Sequence, residues 1–300
     1  MEKKYDIVLI GGGIIGVSTA WQLKQKYPDA DILVLEKEYE FAQHQTGRNS
    51  GVIHAGVYYQ PGSLKADFCR RGAIATKNFC REYGLPVEQC GKLLVSTDEA
   101  EYERMASLEE RCVQNGIETF RLSDKELKEK EPHINGVGAL YVPATGITDY
   151  HAIALKMVDL FKSLGGEVRT GKRVTAIKEG PDGVEIRIGT SEHFHAGQLI
   201  ACCGLEADRI ARMTGIEIDF QIIPFRGEYY RLPTNLNSIV NHLIYPIPDP
   251  ELPFLGVHLT RMIDGSVTIG PNAVLGWKRE GYGRINMDLK DSFEMLTFQS

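Results

Sequence analysis

The first 36 residues constrain the fold of this chain more than any other stretch. Asp6–Ile10 is an apolar run, and the glycine-rich segment Gly11–Gly16 follows it directly. Ile14–Tyr27 then carries apolar residues at helical spacing, and Ile32–Leu35 is a second short apolar run. Short apolar runs favour buried strands, and helical spacing favours an amphipathic helix. The pattern therefore predicts strand, tight turn, helix and strand in succession.

The glycines of this turn have the spacing of a dinucleotide-binding motif. In that motif Gly11 permits the turn, Gly13 lets the backbone approach a pyrophosphate, and Gly16 lets the helix pack closely on the strand. The helix N-terminus offers N–H groups and a partial positive charge to the anion. Glu36 lies 20 residues beyond Gly16, where a carboxylate that binds a ribose is expected. A dinucleotide site is therefore favoured over a structural glycine turn.

Composition narrows the class of protein. A chain of 300 residues is long enough for about two domains. The net charge of −6 and the lack of a Lys- or Arg-rich run argue against nucleic acid as a partner. The six cysteines show no spacing typical of zinc, so we expect no metal. No apolar run reaches the roughly 18 residues of a transmembrane span, and no signal peptide is recognisable, so we expect a cytoplasmic protein.

A second glycine-rich stretch, Thr46–Tyr59, lies downstream of the first motif. Its three glycines are interleaved with hydroxyl, amide and imidazole side chains. A backbone of this kind can run close along a bound ligand, because glycine has no side chain to keep the ligand away. The apolar pair Val52-Ile53 would be unusual in a surface loop. This stretch is therefore predicted to line a binding site.

These motifs resemble those of the flavin-dependent oxidoreductases of the D-amino-acid oxidase and glycerol-3-phosphate dehydrogenase type. In particular, the chain resembles the L-2-hydroxyglutarate dehydrogenase (or oxidase) family. The strings Arg48–Tyr59 and Pro61–Ala66 carry the resemblance early in the chain. Tyr245–Pro250, Gly256–Arg261 and Ile269–Ala273 carry it far downstream. Two distant matches are harder to obtain by chance than one.

The resemblance implies that the cofactor is FAD. It assigns the pyrophosphate to the glycines of the first turn, the adenosine ribose to Glu36, and a position at the flavin ring to His54. The cofactor-binding residues that it implies are Gly11, Gly13, Ile14, Ile15, Gly16, Glu36, Lys37, Thr46, Arg48, Asn49, Ser50, Gly51, Val174, Cys203 and Gly204.

The rest of the chain predicts two intertwined domains. Helices are expected at Leu64–Tyr83, at 98–115, at Tyr150–Leu164 and at Leu205–Met213. A short strand of an antiparallel meander is expected at His193–His195, and Gln198–Gly204 repeats the strand and glycine pattern. Phe220–Leu232 and Phe254–Thr260 are predicted to be strands of a β-rich domain. We expect an α/β fold: a discontinuous Rossmann-like FAD-binding domain, residues 1–85 and 142–215, with an inserted α+β substrate domain, residues 86–141 and 216–300.

Candidate substrate-binding residues follow from the chemistry of a 2-hydroxy acid. Its oxidation needs a hydride acceptor, a base for the hydroxyl proton and cations for the carboxylates. Arginine recognises a carboxylate through two parallel hydrogen bonds, although an arginine at a strand end is more commonly solvated or ion-paired. An imidazole accepts a proton readily near neutral pH, so His54 or His258 is predicted to be the base. The candidates for binding the substrate are Arg261, Arg226, Tyr245 and Tyr59.

The predicted function is FAD-dependent oxidation of L-2-hydroxyglutarate, a small dicarboxylate, to 2-oxoglutarate. The alternatives are a related flavin oxidoreductase acting on an amino acid or on glycerol 3-phosphate, a nicotinamide-dependent dehydrogenase, and an inactive truncated form. The resemblance implies that electrons pass to a quinone of the electron-transport chain, or to oxygen, with possible peripheral binding to the inner membrane. Family members end with a further strand, glycine-rich turn and helix. Residues 287–300 lack that motif, so we expect a C-terminal truncation.

Overall fold

The structure is a computed structural model, and it describes residues 3–249 and 256–298. The α-helices are α1 (Ile14–Lys26), α2 (Leu64–Glu82), α3 (Glu99–Gln114), α4 (Asp124–Lys130), α5 (Tyr150–Ser163), α6 (Ala207–Met213) and α7 (Leu289–Thr297). The early strands are β1 (Lys4–Ile10), β2 (Ile32–Leu35), β3 (Val52–Ile53), β4 (Val87–Glu88), β5 (Lys92–Ser96), β6 (Phe120–Ser123), β7 (Gly138–Val142) and β8 (Gly146–Thr148). The later strands are β9 (Glu167–Arg169), β10 (Val174–Gly180), β11 (Gly183–Ile188), β12 (Glu192–Ala201), β13 (Phe225–Arg231), β14 (Leu243–Pro246), β15 (His258–Arg261) and β16 (Val267–Leu275).

The chain divides into two compact units. The first unit comprises Met1–Asn49, Tyr150–Phe225 and Leu275–Ser300, and the second comprises Ser50–Asp149 and Arg226–Val274. The sequence assigned residues 50–85 and 142–149 to the FAD-binding domain, whereas they lie in the second unit because β3 and β4 both pair with β8 there. Residues 216–225 and 275–300, assigned to the substrate domain, lie in the first unit.

The first unit is built on a six-stranded sheet in the order β10-β11-β12-β1-β2-β9. β12, β1, β2 and β9 run parallel, and β10 to β12 form an antiparallel meander. β2 is buried along its whole length, as expected for a strand of a parallel sheet that is covered on both faces. One cluster of buried side chains includes α1 and α5 residues, and another includes residues of the meander. The predicted strand, turn and helix at the start of the chain are confirmed.

The second unit contains two sheets. The larger has seven strands in the order β13-β16-β15-β14-β5-β7-β6, and the smaller has three in the order β3-β8-β4. β14 lies between β15 and β5, pairing antiparallel with the first and parallel with the second. This order brings together strands that are more than 140 residues apart in sequence. Of the predicted strand Phe254–Thr260, residues 254 and 255 lie outside the described residues.

Several helices begin where side-chain caps predict. The Ser63 and Asp98 side chains accept hydrogen bonds from backbone N–H groups in the first turns of α2 and α3. Ser123 and Glu126 form a reciprocal capping box at α4. Among the described residues, no helix is both long and apolar enough to cross a membrane.

Three predicted elements differ from the structure. The strands expected at 193–195 and 198–204 are one strand, β12, because its first half pairs with β11 and its second half with β1. The strand expected at Phe220–Leu232 is shorter, since β13 begins only at Phe225. The helix expected at Leu205–Met213 begins as a 3-10 turn at Gly204–Glu206 and becomes α-helical at Ala207.

Candidate active site

The glycine turn between β1 and α1 leaves no room for side chains. A Cβ atom on Gly11 would lie 2.3 Å from the carbonyl oxygen of Cys202, and Gly11 has a φ of +112°. A Cβ atom on Gly16 would lie 1.9 Å from the carbonyl oxygen of Gly11. Both residues therefore have to be glycine, because α1 packs against the turn and the turn packs against the end of β12.

The N-terminus of α1 has the properties of an anion-binding site. Its N-cap residue, Gly13, provides no side-chain hydrogen bond, and its first turn contains no acidic residue. The Thr46 hydroxyl accepts a hydrogen bond from the N–H of Ile14 at 3.0 Å, while the side chain of Ile15 is exposed. A helix N-terminus whose N-cap residue has no side chain, beside a glycine turn, fits the pyrophosphate of a dinucleotide.

Glu36 is buried at the end of β2 and organises the surrounding backbone. Its carboxylate accepts hydrogen bonds from the N–H groups of Gly12, at 2.6 Å, and Glu38, at 2.8 Å. The N–H of Lys172 donates to the carbonyl oxygen of Glu36 at 2.8 Å. Val174, the first residue of β10, follows Lys172 by two residues. The carboxylate predicted to bind the ribose is thus tied to the glycine turn.

The segment after β12 approaches the glycine turn from the neighbouring strand. The N–H of Cys202 donates to the carbonyl oxygen of Ile10 at 2.8 Å, and the Cys203 thiol donates to the same oxygen at 3.4 Å. Burial raises the pKa of Cys203 to about 12, so the thiol stays protonated. Gly204 follows with a φ of +53°. The structure therefore places Cys202 and Cys203 beside Gly11, and Gly204 follows them in the chain.

Lys37 occupies a group of side chains that could otherwise bind a metal ion. Ligand atoms of Glu38, His44 and Glu280 lie within 4.8 Å of one another. The Lys37 ammonium group lies 2.5 Å from Glu38, 2.7 Å from His44 Nε2 and 2.6 Å from Glu280. The lysine thus supplies the positive charge that these carboxylates require, and its side chain is engaged within the protein.

The remaining cofactor candidates lie on the loop after α1 and β2. Arg48 donates from Nε to the carbonyl oxygen of Gln43, and its guanidinium lies 4.2 Å from the ring centroid of Tyr282. The Asn49 amide donates to the carbonyl oxygen of Thr46 at 2.7 Å. Ser50 and Gly51 begin the second unit, and a Cβ atom on Gly51 would lie 2.4 Å from the carbonyl oxygen of Thr148. These contacts fix the conformation of the loop.

A cluster of polar and aromatic side chains lies in the second unit, in which Lys92, Tyr245 and His258 are buried and His54 and Tyr58 are partly buried. We call it the buried cluster, and its members are His54, Tyr58, Lys92, Tyr245 and His258. Tyr245 on β14 stacks on His258 of β15, with 3.9 Å between ring centroids and an angle of 15° between the planes. The Nζ atom of Lys92 on β5 lies 5.0 Å from the Tyr245 ring and 4.6 Å from the Tyr58 ring.

His258 has a defined tautomer. Its Nδ1 atom lies 3.0 Å from the carbonyl oxygen of Gly256. Because a carbonyl oxygen can only accept a hydrogen bond, Nδ1 carries the hydrogen and Nε2 holds the free lone pair. Burial lowers the pKa of His258, the hydrogen bond to Gly256 opposes this effect in part, and the nearby charge of Lys92 lowers the pKa further. The imidazole is therefore neutral at physiological pH and can accept a proton at Nε2.

His54 follows the short strand β3. Burial lowers the pKa of His54 to about 4, and the charges of Lys92 and His258 contribute in the same direction. Its carbonyl oxygen accepts a hydrogen bond from the Cys69 thiol at 3.2 Å. The two histidines predicted as catalytic thus lie in the same electrostatic environment.

Lys92 is the functional candidate that the sequence analysis missed. It is fully buried, and within the described residues its Nζ atom has no hydrogen-bond partner. Burying an ion costs several kcal/mol, whereas a cation over an aromatic ring gains only about 2 kcal/mol when both are desolvated. Burial accordingly lowers the pKa of Lys92 to about 8. The only local signal is a lysine that opens the otherwise apolar run Lys92–Ser96.

The predicted arginines and Tyr59 lie outside the buried cluster. Arg261 lies three residues after His258, so alternation along β15 directs the two side chains to opposite faces. Its guanidinium pairs with Glu88 at 2.7 Å, and Arg226 pairs with Glu228. The Tyr59 ring lies 4.9 Å from the ammonium group of Lys65. Of the four predicted substrate-binding residues, Tyr245 is the one that the structure shows in contact with a predicted catalytic histidine, His258.

Comparisons with known proteins identify relatives over almost the whole chain. The L-2-hydroxyglutarate dehydrogenase of Escherichia coli strain K12 is 56% identical over 97% of this chain and 69% of its own length. The mitochondrial L-2-hydroxyglutarate dehydrogenase of Homo sapiens is 42% identical over 98% of this chain and 66% of its own length.

Solved structures of two oxidases share the fold. An FAD-bound L-α-glycerophosphate oxidase from Mycoplasma pneumoniae has a TM-score of 0.82 and 26% identity, covering 93% of this chain and 73% of its own. A glycine oxidase from Geobacillus kaustophilus has a TM-score of 0.78 at 17% identity, covering 94% of this chain and 74% of its own. The family model described as FAD dependent oxidoreductase matches residues 6–296. These matches confirm the predicted fold class and FAD as the cofactor, and the chain belongs to the FAD dependent oxidoreductase family, among the L-2-hydroxyglutarate dehydrogenases.

Proposed function

We propose that this chain oxidises L-2-hydroxyglutarate to 2-oxoglutarate. The observation that carries the proposal is the identity, over nearly the whole chain, to relatives that bear the name of this dehydrogenase. FAD, when bound, supplies the acceptor for the hydride that leaves C2 of the substrate. The glycine turn and the N-terminus of α1 would hold its pyrophosphate, and Glu36 its ribose.

We propose that the buried cluster handles the substrate proton. His258 is held by the Gly256 carbonyl with its lone pair on Nε2. Stacking on Tyr245 fixes the plane of the ring. Such a neutral, oriented imidazole can take the hydroxyl proton from the substrate as the hydride leaves. His54, which is also neutral at physiological pH, is the second candidate for this step.

The other predicted residues remain proposals for substrate binding. Arg261 and Arg226 each form an ion pair with a glutamate, so a substrate carboxylate would have to exchange with Glu88 or Glu228. Tyr245 could donate its hydroxyl, because burial raises the pKa of Tyr245 and keeps the group protonated. Tyr59 is also held in its protonated form by burial, which raises its pKa.

The proposal is tested by anaerobic mixing of the FAD-loaded protein with L-2-hydroxyglutarate, with its D-enantiomer and with glycerol 3-phosphate. We expect the flavin absorbance to bleach with the L-enantiomer alone. Dithionite serves as the control, since it reduces bound flavin without a substrate site. A protein that dithionite bleaches and L-2-hydroxyglutarate does not would contradict the proposal.

Oxidation of glycerol 3-phosphate is the second candidate function. The observation that favours it is the high structural similarity to an L-α-glycerophosphate oxidase. The sequence identity to this oxidase is lower than the identity to the L-2-hydroxyglutarate dehydrogenases, so oxidation of glycerol 3-phosphate ranks second. Bleaching by glycerol 3-phosphate in the same experiment would reverse this order.

We further propose that a membrane quinone, rather than oxygen, reoxidises the flavin, with the protein bound peripherally to the inner membrane. The proposal is supported by the relatives' naming as dehydrogenases. Reduced protein mixed with a soluble quinone analogue should reoxidise much faster than in air-saturated buffer. Faster reoxidation by oxygen would identify an oxidase instead.

A further inference from the structure

Lys92 is a buried cation without a counter-ion among the described residues of its own unit. The side chain is 0% exposed, and no oxygen or nitrogen of the described residues accepts a hydrogen bond from Nζ. The aromatic faces of Tyr58 and Tyr245 contact the charge but offer no lone pair to its three N–H donors. The position is therefore chemically incomplete, and an anion would complete it.

The fold places this cation beside the proposed base. Lys92 pairs with Leu243 across β5 and β14, and β14 pairs with β15 on its other side. Leu243 and Tyr245 lie two residues apart on β14, so their side chains share a face of the sheet. His258 is the neighbour of Tyr245 on the adjacent strand β15, so its side chain lies on the same face. Lys92, Tyr245 and His258 consequently project from the same face of the larger sheet.

We propose that Lys92 binds the C1 carboxylate of the 2-hydroxy acid substrate. This inference rests on the proposed function, because it needs a substrate with a carboxylate next to the reacting carbon. The hydroxyl on C2 is adjacent to C1, so a carboxylate on Lys92 brings the hydroxyl toward the histidines of the same cluster. The ammonium donates hydrogen bonds to the carboxylate, and no covalent step is involved.

Lys77 offers a matched comparison. It is also a buried lysine of the second unit, but its Nζ atom donates to the Gln89 side chain and to the carbonyl oxygen of Ala144, both at 3.0 Å. Both hydrogen bonds stabilise the folded protein. Removal of the Lys77 ammonium group is therefore expected to destabilise the protein. Lys92 has no such hydrogen bonds, so removal of its buried charge is expected to stabilise the protein.

The groups around Lys92 allow its titration to be followed. They are the imidazoles of His54 and His258, the phenols of Tyr58 and Tyr245, and the thiols of Cys69 and Cys112. Burial raises the pKa of both thiols and both phenols, and it lowers the pKa of both imidazoles. All six groups are therefore neutral around pH 8, where Lys92 loses its proton.

The experiment measures binding of glutarate, a dicarboxylate without a hydroxyl, to the oxidised FAD-loaded protein by calorimetry. We expect Lys92→Met to weaken glutarate binding roughly 100-fold and to raise Tm, because an unpaired buried charge is replaced by an apolar chain of similar length. Lys77→Met should lower Tm and leave glutarate affinity unchanged. A purely structural Lys92 would give lower Tm and unchanged affinity, and this result would overturn the proposal.

The pH dependence of the wild type is a second, independent test that requires no variant. The ammonium form persists below the lowered pKa of Lys92, so glutarate affinity should be constant up to pH about 8. Above that pH it should fall about tenfold per pH unit, as the free site loses one proton. A flat profile through this range, or a wild type that does not bind glutarate, would overturn the assignment.

Failure of this assignment and failure of the proposed function give different results. If L-2-hydroxyglutarate bleaches the wild-type flavin and Lys92→Met binds glutarate as well as wild type does, only the role of Lys92 is wrong. If L-2-hydroxyglutarate does not bleach the flavin while glutarate binds through Lys92, the carboxylate site stands and the proposed reaction fails.

Discussion

The two units build their candidate sites from different materials. In the first unit the dinucleotide site consists mainly of backbone: Gly11 and Gly16 leave no room for side chains, and the Glu36 carboxylate organises the surrounding N–H groups. In the second unit the buried cluster consists entirely of side chains, drawn from β5, β14, β15 and the segments flanking β3. The first site depends on close packing, and the second depends on charge and proton transfer.

This difference determines how the two sites should respond to substitution. A backbone site fails when an added atom pushes the chain apart, whatever the chemistry of that atom. A side-chain site fails when a functional group is removed, even if the fold is intact. The variants below test this contrast, beginning with the largest expected effect.

Gly16→Ala should abolish FAD binding and destabilise the protein by about 3 kcal/mol or more, because its Cβ atom would collide with backbone. Gly72→Ala is the control, since a Cβ atom on Gly72 in α2 would meet no atom within 4 Å. Yield, Tm and flavin content measure the effect. If Gly16→Ala retains wild-type flavin content, the close packing of this turn is not what the site requires.

His258→Asn should slow flavin reduction roughly 1,000-fold with little change in Tm, since it removes the proposed proton acceptor. His133→Asn, at an exposed position, is the matched control, and its flavin should be reduced at the wild-type rate. Rapid mixing with L-2-hydroxyglutarate under anaerobic conditions gives the rate. A wild-type rate in His258→Asn would show that His258 is not the proton acceptor and would leave His54 as the candidate. His54→Asn then tests that candidate in the same experiment.

Glu36→Ala should weaken FAD binding roughly 10-fold, because the N–H groups of Gly12 and Glu38 lose their common acceptor. The exposed Glu40 provides the control substitution. Flavin release on dilution, followed by fluorescence, reports the affinity. Unchanged affinity would mean that the turn keeps its shape without this carboxylate.

Arg261→Lys should raise KM about fivefold, because an ammonium group cannot replace the planar fork of arginine. Glu88→Gln separates the two possible roles of Arg261, since it breaks the ion pair and leaves the guanidinium available. If Arg261→Lys leaves KM unchanged and both variants lower Tm equally, Arg261 serves only the ion pair.

The same contrast explains what the sequence could predict. The glycine turn is encoded by the spacing of neighbouring residues, and Ser63, Asp98 and Ser123 mark three helix starts through local hydrogen bonds. Lys92 has no such signal, because its partners are brought close only when β14 inserts between β15 and β5. Local patterns do not specify that pairing order.

Arg261 illustrates the same limit. The chemistry of the substrate makes Arg261 a candidate, but a strand sends residues three apart, such as His258 and Arg261, to opposite faces, and Glu88 comes from a different sheet to pair with Arg261. Tyr58 and Tyr59 are adjacent in sequence, but the Tyr58 ring contacts Lys92 and the Tyr59 ring contacts Lys65. Which of two neighbours lies in a site depends on tertiary packing.

The central proposal is that this chain transfers hydride from C2 of L-2-hydroxyglutarate to bound FAD. Single-turnover anaerobic reaction of the FAD-loaded protein with L-2-hydroxyglutarate, unlabelled or deuterated at C2, tests it most directly. We predict one 2-oxoglutarate formed for each flavin reduced, and slower bleaching with the deuterated substrate. Flavin that stays oxidised with L-2-hydroxyglutarate but is reduced by dithionite would contradict the proposal.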